Sequence, residues 1–314
     1  MVLTGRELPM VTVRQSVFVV PAVSHIAERM GYFASAGLEV VTTTVPSSRA
    51  QQADLVEDRV DVAITATDNL FAWGAAGSDI VLIGQIETTT DLALLLRPGL
   101  GSLDELDAVR LAVDAPANGF AVVAYAMMAR LGRAGLADGA GQHEGTPYEV
   151  VEVGGVTERF EALATGAVDA TLVAPPLDEI GQQQGMSVAM RVQELASAYP
   201  GLGIVARRAK LDTAAGSVAA YLAALDDALG WMRSAGPGGV AAELTAAGFG
   251  PAAVRSVLVT IPRTLAPASD ALAALVRLRQ ETGMTIAGAP APADLIDLRP
   301  LRIARLHDPA VRSH

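Results

Sequence analysis

Small polar residues gather at the turns where apolar, β-branched runs of this chain end. After the run 11–20 come Pro21, Ala22, Val23, Ser24 and His25; after 38–45 come Pro46, Ser47, Ser48 and Arg49; after 60–65 come Ala66, Thr67, Asp68 and Asn69. The second half repeats the habit with Asp114 to Gly119, which includes Asn118, then with Gly154, Gly155 and Thr157, then with Ala174, Pro175 and Pro176. Such residues leave helix N-terminal N–H groups free to hold an anion, at ~0.3–1 kcal/mol for each exposed end. This is the chemistry of gripping a ligand. Any one of these residues serves equally well as a plain helix cap, so the case rests on six such turns facing one cleft.

Titratable groups are few in these turns. Arg49 and Arg159 could fork a carboxylate or sulfonate, or stand as solvated surface arginines. His25 is the only histidine among the turns; His143, His307 and His314 lie elsewhere. An enzyme built here would lean on His25 and Asp68 for proton transfer, with Asp114 behind them. No catalytic residue is otherwise assigned. Lys210 is the only lysine, so there is no phosphate-binding Walker loop, and neither a G-x-S-x-G elbow nor a zinc-spaced histidine pair occurs. Neither a cofactor nor a metal is expected.

The elements that must position these turns alternate. Strands are predicted at 11–20, 38–45, 60–65 and 80–86, with helices between them, and the pattern restarts with strands at 92–96, 109–113, 148–153 and 168–173. Alternation of this kind signals parallel sheets covered on both faces. A further strand at 203–209 precedes Ala/Leu-rich helical stretches at 214–232, 240–247, 252–259 and 269–282, and the Pro-rich segment from 287 reads as a loosely held terminus. An internal repeat runs through this order. Gly37-Leu38-Glu39-Val40-Val41 leads through a helix to Val60-Asp61-Val62-Ala63, and Tyr148-Glu149-Val150-Val151 leads through a helix to Val168-Asp169-Ala170-Thr171. Two doubly wound α/β lobes follow from it.

Composition narrows the function classes. The 314 residues are 51% hydrophobic and 18% charged, which is a core-forming balance and not a disordered one. A formal charge of −11 leaves no basic stripe for nucleic acid. There is no cysteine, hence no disulfide, thiolate metal site or lipidated cysteine. No secretory signal and no membrane span of ~18–20 apolar residues is read, so a cytoplasmic protein is expected as encoded, with a periplasmic or extracellular place only if a signal has been removed.

The segments His25-Ile26-Ala27-Glu28-Arg29-Met30-Gly31-Tyr32-Phe33 and Ala36-Gly37-Leu38-Glu39-Val40 resemble the opening of solute-binding proteins of the sulfonate/nitrate/taurine and thiamine-precursor type. Val60-Asp61-Val62-Ala63, Val113-Asp114-Ala115-Pro116, Asn118-Gly119-Phe120, Gly166-Ala167-Val168-Asp169-Ala170, Ala174-Pro175-Pro176 and the helical end around Trp231 fit the same family. The resemblance implies the type II periplasmic-binding-protein fold, two lobes joined by a two-strand hinge. It places 1–91 plus 196–314 in lobe one, which carries the helical tail, and 92–195 in lobe two. It implies a small ligand between the lobes, held by Ser24, His25, Ser47, Ser48, Arg49, Thr67, Asp68, Asn69, Asn118, Gly119, Gly154, Gly155, Arg159 and Pro175. A sulfonate- or carboxylate-bearing solute, a monomeric protein and, if exported, an ABC permease as partner are expected. The alternatives are a signal-less decarboxylase- or lyase-like enzyme on the same fold, acting on a small organic acid, and a ligand-sensing module.

Overall fold

The computed structural model describes residues 10–135, 146–195, 199–268 and 271–306; His143, His307 and His314 lie outside the described residues. The first half builds β1 (Val11–Val17), α1 (Ala22–Arg29), α2 (Tyr32–Ser35), β2 (Leu38–Thr44), α3 (Ser48–Val56), β3 (Val62–Ala66), α4 (Asn69–Ala75) and β4 (Ile80–Gln85). Then follow β5 (Ala93–Leu96), β6 (Val109–Val113), α5 (Gly119–Arg130), β7 (Arg133–Gly135), β8 (Thr146–Glu152), α6 (Val156–Ala164), β9 (Ala170–Val173), α7 (Leu177–Gln183), β10 (Ser187–Arg191) and α8 (Val192–Leu195). The chain returns through β11 (Leu202–Arg207) and ends in α9 (Arg208–Ala246), α10 (Pro251–Thr260), α11 (Ala271–Glu281) and α12 (Arg299–Leu306).

These strands form two sheets of matching order. The first runs β2-β1-β3-β11-β4 and the second β10-β5-β9-β6-β8-β7. In each, a parallel trio, extended in the second sheet by β7 parallel to β8, is flanked by one antiparallel strand supplied after the chain has crossed over: β11 beside β3 and β4, and β5 beside β9 and β10. The Val-Asp repeat has a physical cause here. Asp61 accepts the Arg14 backbone N–H at 2.8 Å and the Arg14 guanidinium at 2.8 and 3.1 Å. Asp169 does the same for Arg110, with all three distances 2.9 Å. Each aspartate precedes its strand and clamps an arginine of the neighbouring parallel strand, so both lobes fix their central register by one device.

Strand alternation sorts the core. Val62, Ile64, Val81, Ile83, Ile204 and Ala206 face α1, α9, α10 and α12, whereas Ala63, Ile80, Leu82 and Val205 face the opposite way. That second face joins Leu70, Phe71 and Trp73 of α4 to Leu94, Leu111 and Val113 of the other sheet in one apolar cluster. Helix α5 lies inside it, with nearly every residue from Gly119 to Met128 buried. A helix apolar all round must be buried. Leu272, Leu275 and Leu278 of α11 complete this cluster, so one helix of the tail packs across both lobes.

The terminus corrects the sequence reading. Residues 287–306 are anchored: Pro290 packs on Gly74, Leu295 is buried, Asp297 N–H bonds the Leu82 carbonyl at 2.9 Å, and α12 buries Leu301 and Ala304. The stretches read as helices at 214–232 and 240–247 join into α9, which departs from helical geometry at Ala214 and at Gly236, just before Pro237.

Burial pushes the Asp61 carboxyl up, but hydrogen bonds from Arg14 and Lys210 outweigh it and hold it at about 2, below the ordinary 3.8. Between those values the unfolded chain binds the extra proton, so this stabilisation is complete above about pH 4 and fades as the pH falls through about 2. Asp61→Asn is therefore expected to lower the unfolding free energy at pH 7 by roughly 1–3 kcal/mol. In urea titrations the gap from wild type should narrow steadily between pH 4 and pH 2.

Candidate functional site

The six turns at the carboxyl ends of the parallel strands meet in pairs across the gap between the sheets. A Cβ on Gly155, before α6, would lie 3.9 Å from the Pro46 carbonyl oxygen, before α3. A Cβ on Gly119, at the start of α5, would lie 2.6 Å from the Asp68 Cβ, and the Gly119 N–H faces Asn69 Oδ1 at 3.5 Å. Glycine is required there by the closeness of the two lobes. Pro175, before α7, shares a cavity wall with Val19 to Val23, before α1.

The expected residues divide into several environments. Ser47 caps α3, its Oγ accepting the Ala50 N–H at 3.2 Å, and Ser48 is already the first helical residue. Arg49 is exposed and makes no ion pair among the described residues. Asn118 caps α5 through two backbone N–H groups, at 2.7 and 3.1 Å, and donates to Asp114 at 2.6 Å. Asn69 donates to Thr65 at 3.0 Å. The buried hydroxyls of Thr67 and Tyr199 have no hydrogen-bond partner among the described residues. Gly154 takes a φ of +117°, open to glycine, and Gly155 precedes α6 without a side-chain cap. Helices α1, α4 and α7 likewise start without one.

Helix α1 begins at Ala22, two residues before Ser24. Ser24 is buried, with its Oγ 3.4 Å from Gln15 Oε1 inside the first lobe. His25 stands edge-on to Phe249 with ring centroids 5.5 Å apart, and its Nε2 is buried without a partner. Burial, then the nearby Arg29, lowers its pKa. Asp68 was expected as a helix cap. Instead its carboxylate receives the Arg279 Nε at 2.9 Å to both oxygens, with Nη2 also in contact.

Arg159 is buried in the second lobe. Its Nε donates to the Gly154 carbonyl at 3.2 Å and its Nη1 to Thr171 Oγ1 at 3.1 Å and the Leu172 carbonyl at 2.8 Å. Among the described residues no carboxylate forms an ion pair with it; burial lowers its pKa, and the Asp114 charge works against that shift. Burial in turn pushes the Asp114 carboxyl up.

Sequence reasoning missed two acids and an arginine. Residues 86–91 and 199–201 lie on connections between the sheets, tied by Ile86 N–H to the Leu202 carbonyl and Thr90 N–H to the Tyr199 carbonyl, both at 3.2 Å. Beside them lies a cavity of about 180 Å³, lined by Val19 to Val23, Glu87, Thr90, Asp91, Pro175 and residues of α9 and α10. Burial pushes the Glu87 carboxyl up to about 7, although Thr90 donates to it at 2.9 Å. The run Glu87-Thr88-Thr89-Thr90-Asp91, five polar residues between two apolar strands, was its signal. Arg279 carries a subtler one: it sits in line with Leu272 and Leu275, on a stripe that is otherwise apolar.

Arg279 and Asp68 expose 3% and 1% of their side chains. Arg279 also donates to the carbonyls of Ala117, at 3.1 Å, and Met284, at 3.0 Å. Removing either partner strands a buried charge, so Arg279→Met and Asp68→Leu are each expected to cost about 3–5 kcal/mol. The double variant should lose clearly less than the sum in chemical denaturation.

Among the described residues no helix is long and apolar enough to cross a membrane. A search of curated proteins by sequence finds no match. Among solved structures, a Bordetella bronchiseptica RB50 protein is similar at a TM-score of 0.73 and 17% identity, over 96% of this chain and 98% of that one. The periplasmic nitrate-binding protein NrtA of Synechocystis PCC 6803 aligns at 0.72 and 13%, over 96% and 91%. The alkanesulfonate-binding protein SsuA of Xanthomonas axonopodis pv. citri, bound to MOPS, aligns at 0.66 and 16%, over 90% and 97%. These similarities carry the periplasmic-binding-protein fold. The profile of the NMT1/THI5-like family matches residues 22–235, and the chain belongs to that family.

Proposed function

We propose that this protein is a solute-binding component of ABC-type import, holding a small molecule between its two lobes. The observation that carries the reading is the pairwise meeting of six strand-end turns across one gap, four of whose helices begin without a side-chain cap. The nitrate- and alkanesulfonate-binding proteins of the same fold support it. In this reading 1–91 plus 196–314 and 92–195 move as units about the connections that carry 86–91 and 199–201, closing over the ligand. The protein acts as a monomer, outside the membrane that holds its permease.

An anionic group of the ligand would lie toward the start of α6. Support comes from the uncapped Gly155 end and from Arg159, a buried guanidinium whose contacts are neutral oxygens. Arg49, exposed at the start of α3, would face it from the other lobe. The enzymatic alternative leaned on His25 and Asp68; the first lies against Phe249 and the second is bound to Arg279, so neither is offered to a ligand.

A screen of small carboxylates, sulfonates, amines and pyrimidines by thermal unfolding is the direct test. At least one class should raise the unfolding temperature, and mass spectrometry should recover that ligand intact. Arg159→Gln should weaken an anionic hit by roughly tenfold, ~1.4 kcal/mol, with a smaller loss for Arg49→Ala. Anion affinity untouched by both variants would remove the charge assignment, and turnover of the recovered ligand would favour the enzyme.

A further inference from the structure

Among the described residues, the buried aspartates are each met by a cation. Asp61 has Arg14 and Lys210, Asp68 has Arg279, Asp169 has Arg97 and Arg110, Asp178 has Arg191, and Asp297 has Arg208 and Arg299. The rule reflects what a charge loses on leaving water: unpaired, it is expensive to bury. Glu87, half-buried, has no such cation, and Asp114 shares that lack, its carboxylate accepting the Asn118 amide. The Glu87 carboxyl stands in the wall of the 180 Å³ cavity and accepts the Thr90 hydroxyl at 2.9 Å. No arginine, lysine or histidine reaches it among the described residues. Asp91, the other acid of the lining, is already answered by Arg191 at 3.6 Å and Gln193 at 3.2 Å.

The position is built rather than incidental. A Cβ at Gly201 would fall 1.1 Å from Thr90 Oγ1 and 3.1 Å from Glu87 Oε2, so only glycine lets the returning connection pass this pair. The rest of the lining contains no basic residue. It is mostly apolar, with Val20, Val23, Met232, Phe249 and Val257 among its walls, and the Ser256 hydroxyl lies in the same lining.

We propose that Glu87 is the specificity-determining residue of this hinge-side cavity, and that the solute seated there presents a protonated amine to it from an apolar body. The inference rests on the solute-binding reading above and names one chemical end of that solute. An ammonium supplies the cation that the buried aspartates find within the chain. It brings three donors, for Glu87 and for the lone pairs of the neighbouring hydroxyls. The alkyl part of the solute takes the valine and phenylalanine walls. The elevated Glu87 pKa is the response of an acid still lacking that partner.

The test compares three probes of one chain length, pentylamine hydrochloride, pentan-1-ol and sodium pentane-1-sulfonate, by calorimetry at pH 7.5. Wild type, Glu87→Gln and Glu87→Asp are titrated with each. Pentylamine should bind wild type, lose tenfold or more in Glu87→Gln and less in Glu87→Asp, while pentanol affinity stays the same in all three. Pentylamine that ignores wild type, or binds Glu87→Gln equally well, overturns the inference. Sulfonate binding without amine binding overturns it too and leaves the wider reading standing. Failure of the wider reading shows differently, as a complete solute screen in which nothing raises the unfolding temperature.

Discussion

The buried ion pair between Asp68 and Arg279 is the constraint around which the two lobes are arranged. Two charges are taken almost wholly out of water, which costs several kcal/mol for each ion unless geometry and hydrogen bonds answer it. Here they do. Arg279 spends its donors on both Asp68 oxygens and on the carbonyls of Ala117 and Met284, and so joins the end of β3, the turn before α5 and the segment after α11. Gly119 follows from this: the α5 start presses on Asp68, where any side chain would collide. The apolar cluster linking α4, α5 and α11 fills the space behind the pair. In this cluster the lobes share a core, and the cavity lies beside the connections between the sheets.

Function follows from how the two halves repeat. Each lobe builds a parallel trio, clamps it with an aspartate at the start of its third strand, and accepts one antiparallel strand from the returning chain. Repeating that unit brings the carboxyl ends of two sheets face to face, and with them six helix starts. The gap thereby acquires donors from backbone and hydroxyls. Its charged groups are spread apart: Arg159 beneath the α6 start, and Glu87 beside the connections. A small solute with chemically distinct ends is what such an arrangement can discriminate.

Local pattern carried the fold into the sequence. Runs of Val, Ile and Leu marked the strands of both sheets except β7 and β10, which carry no such run, and Val60-Asp61 with Val168-Asp169 announced the duplication through a contact that each lobe makes internally. What failed to be legible was long-range. Asp68 looked like a cap because its partner is Arg279, more than two hundred positions away. Ser24 and His25 were placed by a helix start set too late, and a two-residue shift rotates a side chain about 200° around a helix. The Pro-rich segment after residue 287 looked loose, because prolines end helices, whereas Pro290, Leu295 and Asp297 dock it onto α4, β4 and α9. Ser47 and Asn118 behaved as their types suggest, since capping is settled within four residues.

A chain without cysteine accepts a unique pair of spin labels, and this gives the most direct measurement of lobe closure over a solute. With cysteines placed at exposed Val41 on β2 and Gln183 on α7, pulsed electron resonance reads the distance between the lobes. Adding a compound that raises the unfolding temperature should shorten and narrow the distance distribution in proportion to occupancy. A distribution that stays unchanged while the same sample binds its ligand to saturation would contradict closure of two lobes around the solute.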